Sequence, residues 1–235
     1  MSKHKKILVI GDTHFPYSHP EAIEFLKKLN HNYKPDTVVH IGDEADYHSQ
    51  NFHGVDPDLP SAFDELEVTK SWIKRLEKIF PKMTLLESNH GSLVLRRAVA
   101  SKMSRKYIKP YNEILEVNKG WVWKDKHFID TDKNRIMFAH QFCKDIAKAV
   151  KETSMCCVQG HYHCSSEVKF VATDYSLNWG ISTGCLVNKD SLAMAYMKVN
   201  VAKPILSSAL ITDGIPCITP MVLKNNGSWD RNIYI

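Results

Sequence analysis

Acid, amide and imidazole residues recur in short clusters along this chain: Asp12 and His14 in "GDTH", Asp43 and Asp46 in "GDEAD", Asn89 and His90 in "SNHG", then His140, and finally His161 and His163 in "GHYH". Carboxylates and neutral imidazoles are ligands for borderline divalent metals such as zinc, manganese and iron. Seven of these residues (Asp12, His14, Asp43, Asn89, His140, His161 and His163) are enough donors for two ions. Two metals about 3.5–4 Å apart can generate hydroxide and clamp both oxygens of a phosphoryl displacement. Only Asp12 and Asp43 among the seven are anionic, so two divalent ions would leave such a site positive and attractive to phosphate. Asp-X-His and His-X-His spacings on a strand would put both side chains on one face.

Taken singly, each cluster has a plainer explanation. Asp12 and Asp43 follow glycines and could be turn residues. Asn89 and His90 could form a turn with a helix cap, and His140 could be a core-edge histidine bonded to backbone. His161 and His163 could join Cys156, Cys157 or Cys164 in a structural zinc site, but the cysteines lack the usual CxxC pair. The weight comes from the joint pattern, because the clusters end successive apolar runs.

Those runs are the elements that must position the clusters. Lys5–Ile10, Thr37–Ile41 and Met83–Leu86 read as buried strands ending at Gly11-Asp12, Gly42-Asp43 and Ser88-Asn89. Helices are expected from Pro20 to Asn32, from Ser61 as cap to Phe80, and over Ser92–Ala100. The long polar loop Glu44–Leu59 separates the second strand from its helix. Trp121–Trp123, His127–Ile129 and Arg135–Ala139 read as strands joined by tight turns, with "DTDKN" as a hairpin loop. A helix near Lys144–Lys151, a strand Met155–Val158 and a strand-rich remainder complete the pattern. A βαβαβα start followed by strands implies two sheets with helices outside them. Ligands in open α/β sheets bind beyond the carboxyl ends of strands, where these clusters fall.

Composition sets the boundaries. A chain of 235 residues with 43% hydrophobic and 24% charged content suits one globular domain, residues 1–235. The formal net charge of +5 permits an anionic partner without demonstrating one, and the opening "KHKK" is too short for a nucleic-acid tail. The first apolar run is broken by Gly11-Asp12, so no secretory core is expected, nor any membrane span. Six scattered cysteines imply reduced thiols and a cytoplasmic protein.

The ordered set "GDTH … GDEAD … SNHG … H … GHYH" resembles the calcineurin-like metallophosphoesterases over residues 7 to about 165. The whole chain also resembles small metallophosphoesterases of bacteriophage genomes, which would place it in a host cytoplasm. The resemblance implies an α/β fold, a four-layer αββα sandwich with two mixed β-sheets. It implies one metal on Asp12, His14, Asp43 and His163, and a second on Asp43, Asn89, His140 and His161, with Asp43 bridging. His90 would face the leaving-group oxygen as a catalytic acid, and Asp46 matches the position that orients that histidine. Manganese is the expected metal, with zinc, iron or nickel as alternatives. The chain departs from the family pattern at Ser88 and Gly91, at Gln141 after His140, and at Tyr47-His48, where the protein phosphatase branch has Arg-Gly.

The resulting expectation is a dinuclear-metal-dependent phosphoester hydrolase, a phosphodiesterase or nuclease acting on nucleotides or nucleic acid. Alternatives are a phosphomonoesterase acting on a nucleotide or phosphoprotein, or a metal-binding scaffold with little catalysis. Arg96, Arg97 and His48 are the expected substrate contacts, the arginines having a solvated helix face as their plainer reading. His53 and Tyr47 share the long loop, where a mobile surface segment is the plainer reading. Trp121, Trp123 and Trp179 should pack the sheets, and Cys164 should be a buried thiol.

Overall fold

In the computed structural model, which describes residues 5–52, 56–197 and 201–235, the alternation of each strand decides which layer its side chains enter. Strand β1 (Lys6–Ile10) points Ile7 and Val9 into one cluster and Leu8 and Ile10 into another. The first cluster lies between two sheets. The second lies under helices α1 (Ala22–Tyr33) and α2 (Ala62–Ile79). A period-2 strand with apolar residues on both faces can exist only if both faces are covered.

The first sheet has the order β11-β10-β1-β2-β3-β4, where β2 is Thr37–His40, β3 Met83–Leu86, β4 Trp121–Lys124, β10 Ser207–Thr212 and β11 Ile215–Pro220. Strands β1 to β4 run parallel, and β10 joins β1 antiparallel. The second sheet has the order β5-β6-β7-β9-β8, where β5 is His127–Asp130, β6 Arg135–Phe138, β7 Cys156–Gln159, β8 Ser166–Ala172 and β9 Leu177–Thr183. Ile136, Phe138, Cys156, Val158, Trp179 and Ile181 fill the space between the sheets. Met137 and Cys157 point the other way, onto helix α5 (Ile146–Thr153) through Ile146, Ala149 and Val150. The layers are therefore helix, sheet, sheet, helix, and both sheets are mixed, as expected. Each fully buried aliphatic or aromatic side chain contributes about 1.5–3 kcal/mol.

Local signals placed the helix ends. Ser61 caps α2 by accepting from the Asp64 N–H at 3.2 Å, and Asp145 caps α5 by accepting from the Ala147 N–H at 3.2 Å. Helix α3 (Leu93–Ala100) begins one residue after the expected Ser92. The expected tight turn between β4 and β5 is present, but the two strands lie in different sheets: β4 pairs with β3 in the first, whereas β5 pairs with β6 in the second. The Asp125-Lys126 connection carries the chain from one sheet to the other, and a tight turn reads the same in sequence whether it closes a hairpin or crosses layers. The expected "DTDKN" loop does close the β5–β6 hairpin, with Asp130 opposite Arg135. The sequence also gave no sign of the short helix α4 (Tyr111–Ile114). No helix among the described residues is long and apolar enough to cross a membrane.

Candidate metal centre

Four parallel strands, β1, β2, β3 and β7, end at one edge, and the residues just beyond them turn inward. His14, Asp43 and His161 all have left-handed backbones, with φ of 48°, 49° and 63°. Non-glycine residues in that region cost on the order of 1–3 kcal/mol each and collect where side chains must be aimed. The aiming therefore does not follow strand alternation. His161 and His163 sit in a turn past β7 and serve different donor groups despite their two-residue spacing.

The first donor group is Asp12, His14, Asp43 and His163. His14 Nε2 is 3.1 Å from His163 Nε2 and 3.4 Å from Asp43 Oδ2, and His163 Nε2 is 3.3 Å from Asp12 Oδ2. The second is Asp43, His140 and His161, with Asn89 among them. His140 Nε2 is 3.3 Å from Asp43 Oδ2 and 2.7 Å from Asn89 Oδ1, which is 3.0 Å from His161 Nδ1. Asp43 Oδ2 thus faces both groups. Donors bound to one ion at about 2.1 Å lie roughly 3.0–3.4 Å apart, so this spacing suits ligation.

The buried Asp12 Oδ1 has no hydrogen-bond partner, a second feature that fits cations at this edge. The ring orientations fit as well. His14 Nδ1 donates to Asp46 Oδ1 at 2.6 Å and His140 Nδ1 to the Ile41 carbonyl at 3.1 Å, which leaves each Nε2 for a metal.

The two Asp-His edges perturb each other. Burial alone would raise the Asp12 and Asp43 carboxyls, but His140 and its neighbouring imidazoles hold both below the ordinary value, Asp43 far below it. Burial pulls His140 down, but Asp43 and Asp12 overcome it and raise the ring to about 9. His14 is raised well above its ordinary value against burial by Asp43 and Asp46. Burial and the His140 charge push His161 down.

A ligating imidazole must be neutral, so binding must expel the His140 proton below about pH 9. The apparent affinity for Mn²⁺ should therefore rise with pH, up to about tenfold per unit for each proton displaced, and flatten above that range. In the metal-free protein, the raised His140 contributes stability that is complete below pH 6.5 and lost as pH rises through about 9. The depressed Asp12 and Asp43 stay ionised throughout this window, since they lose their contribution only below 3.8. Calorimetric titration of Mn²⁺ at several pH values checks this. An affinity independent of pH between 6.5 and 9 would contradict it.

Asp46 lies among three histidines. Its Oδ1 takes the 2.6 Å bond from His14 and is 3.5 Å from His90 Nδ1, and its Oδ2 is 3.4 Å from His48 Nδ1. The shorter contact of His90 Nδ1 is with the Asp46 carbonyl, at 2.5 Å, and the His90 N–H donates to Asp43 Oδ1 at 3.2 Å. His90 therefore has its ring fixed by Asp46 backbone and its main chain fixed by Asp43.

The expected substrate contacts separate. Arg96 is exposed and lines a cavity of about 520 Å³ with His90, Asp46 and His48. Arg97 instead donates to the Gln50 carbonyl at 2.9 Å and to the Asn51 carbonyl. Tyr47 is buried, whereas His53 lies outside the described residues. Trp121 and Trp179 pack as expected, at 3% and 2% exposure. Cys164 is a correction: it is exposed, because it follows His163 out of the turn and lines the mouth beside Lys144 rather than the core.

Several supporting residues were missed. Glu65, buried on α2, accepts from the His48 and Ser49 N–H groups at 2.6 and 3.0 Å and so fixes the loop that carries Asp46. A carboxylate in a polar-patterned helix gives no sequence sign of this. Glu44, bonded by Trp123 Nε1 at 2.9 Å, is raised by burial to about 7. Gly160 admits Asp12: a Cβ there would come within 2.2 Å of Asp12 Oδ1 and 2.5 Å of Ile41 Cγ2. Gly160→Ala should therefore displace Asp12 and weaken metal binding by at least about tenfold, read by the same titration, while far-ultraviolet circular dichroism stays native. Unchanged affinity would show that the strand end can yield.

An αββα sandwich presenting two acid–imidazole groups at one loop edge defines the class, a two-sheet fold with a candidate metal centre at its loop edge. The sequence matches the calcineurin-like phosphoesterase family over residues 5–163, and the chain belongs to that family. None of the curated proteins matches it. Vps29 from Chaetomium thermophilum has a similar fold, with 14% identity and a TM-score of 0.51 over 98% of this chain and 93% of that one. Yfce, a phosphoesterase from E. coli, is 14% identical over 96% of each chain, with a TM-score of 0.47. An archaeal phosphodiesterase is 14% identical over 97% of this chain and 99% of its own, with a TM-score of 0.46.

Proposed function

We infer that this protein is a dinuclear-metal-dependent phosphoester hydrolase that cleaves phosphodiesters of nucleotides or nucleic acid. The observation that carries the reading is Asp43 Oδ2, which is 3.4 Å from His14 Nε2 and 3.3 Å from His140 Nε2 and so is shared by two donor groups. Asp12, His14, Asp43 and His163 would hold one divalent ion, and Asp43, Asn89, His140 and His161 the other, manganese being the preferred metal. Two such ions would polarise the phosphoryl oxygens and acidify the attacking water.

The remaining steps fall to the chain. Asn89, whose Oδ1 lies 2.7 Å from His140 Nε2 and 3.0 Å from His161 Nδ1, would help to hold the second ion. His90, its Nδ1 fixed by the Asp46 carbonyl, presents Nε2 to the ester oxygen. Water, having lost a proton to solvent, attacks phosphorus as hydroxide; the opposite P–O bond breaks, protonated His90 transfers its proton to the departing alkoxide, and His90 takes a proton back from solvent. Asp46 holds His14 in the tautomer that leaves its Nε2 free. A diester suits the surface, because Asn89 and His90 border a cavity on either side, of about 360 and 520 Å³, with room for two ester arms.

Purified protein with Mn²⁺ should hydrolyse bis-p-nitrophenyl phosphate faster than p-nitrophenyl phosphate. The opposite preference would favour the phosphomonoesterase reading. Failure on both esters with manganese, nickel, zinc and iron would favour the scaffold.

A further inference from the structure

Phe52 is 45% exposed, yet it is not loosely held. Arg97 donates to the carbonyls of Gln50 and Asn51, the two residues before it. The guanidinium carbons of Arg97 and Arg96 lie 4.3 and 5.1 Å from its ring centre. The loop upstream is tied to α2 through Glu65. An aromatic ring fixed from several sides and left open to solvent has not been used for the core. It lines the larger cavity, with Leu93 and Met194 as apolar walls and His90 at the inner end. The smaller cavity, across Asn89 and His90, is lined by Lys144 and by Tyr162, whose hydroxyl accepts from Gln141 Nε2 at 3.1 Å.

We propose that Phe52, in the cavity it lines with Leu93 and Met194, is a stacking platform for one base of a nucleoside phosphodiester whose phosphorus sits at the metal centre. The proposal rests on the hydrolase reading for the position of the phosphorus and adds the residue that takes the base. The purine or pyrimidine lies against the solvent-exposed side of the Phe52 ring, away from the Arg97 guanidinium, and its sugar oxygen reaches back to His90. Arg97 is a positioning residue, since it sets the loop rather than the ligand. Arg96 supplies a cation at the rim for a further phosphate of a longer chain. Stacking of this kind reads planarity and tolerates every base.

Binding tests the proposal without requiring turnover. A dinucleoside phosphorothioate and the ring-free diester glycerophosphoethanolamine are titrated into metal-free and Mn²⁺-loaded protein. Wild type should bind the dinucleoside at least about tenfold more tightly. Phe52→Leu should remove about tenfold of that affinity, leave glycerophosphoethanolamine unchanged, and keep metal content and melting temperature native. Phe52→Tyr should restore dinucleoside binding. Equal affinity of wild type for the two diesters would overturn the proposal. So would a Phe52→Leu loss that is equal for both, which would make Phe52 a loop support. The p-nitrophenyl ester assay separates the two readings. Hydrolysis without dinucleoside preference sinks only the platform, whereas dinucleoside preference without hydrolysis sinks only the hydrolase.

Discussion

Asp43→Asn should abolish the two-metal site and lower kcat/KM on the order of 10³-fold, about 4 kcal/mol of transition-state stabilisation. Asp43 Oδ2 is the oxygen that both donor groups share, and Oδ1 accepts from the His90 N–H at 3.2 Å. Asparagine keeps the shape but removes the negative charge that balances His14 and His140. Metal analysis should find at most one ion per chain, against the two expected of the wild type. In the metal-free state, His14 and His140 lose the neighbour that raised them, so both should titrate lower, a shift visible in their imidazole NMR signals. If Asp43→Asn retains two ions and near-native turnover, the shared-oxygen reading is wrong. The substitution occurs at φ 49°, a conformation asparagine tolerates, so loss of folding should not obscure the result.

His90→Ala should lower kcat by about 10²–10⁴-fold on substrates with an alkoxide leaving group while leaving metal content unchanged. His90 belongs to neither of the two donor groups that share Asp43. Its ring meets the Asp46 carbonyl at 2.5 Å and opens to both cavities. A proton donor matters most when the departing oxygen is strongly basic. The defect should therefore shrink for p-nitrophenyl esters, whose leaving group departs readily without protonation. A plot of log kcat against leaving-group pKa should be steeper for the variant than for wild type. An equal defect for both leaving groups would point to a binding role. Collapse of metal content would mean that His90 holds a ligand or the metal-bearing loop in place.

Both results depend on side chains whose chemistry was legible and whose partners were not. The sequence by itself determined the order of the site. Apolar runs ending in Gly11-Asp12, Gly42-Asp43 and Ser88-Asn89 set the strand ends, because buried period-2 strands must stop where charged groups begin. It also determined the layers, since β1 alternates Ile7 and Val9 against Leu8 and Ile10 and each pair requires its own cover. Ser61 and the "DTDKN" loop were legible for the same local reason: caps and turns are made by neighbours in sequence.

Only the tertiary structure decided what depends on distant partners. Left-handed backbones at His14, Asp43 and His161 aim those side chains, and no local pattern requires them there. Arg96 and Arg97 are adjacent and chemically alike, yet one faces the cavity and the other binds the carbonyls of Gln50 and Asn51, nearly fifty residues upstream. Glu65 looks like any surface glutamate until α2 packs beneath the Asp46 loop. The crossing from β4 to β5 was hidden because a turn's sequence fixes its bend and not the sheet that the next strand joins. Local sequence encodes what each residue can do, whereas long-range packing chooses the groups it does it with.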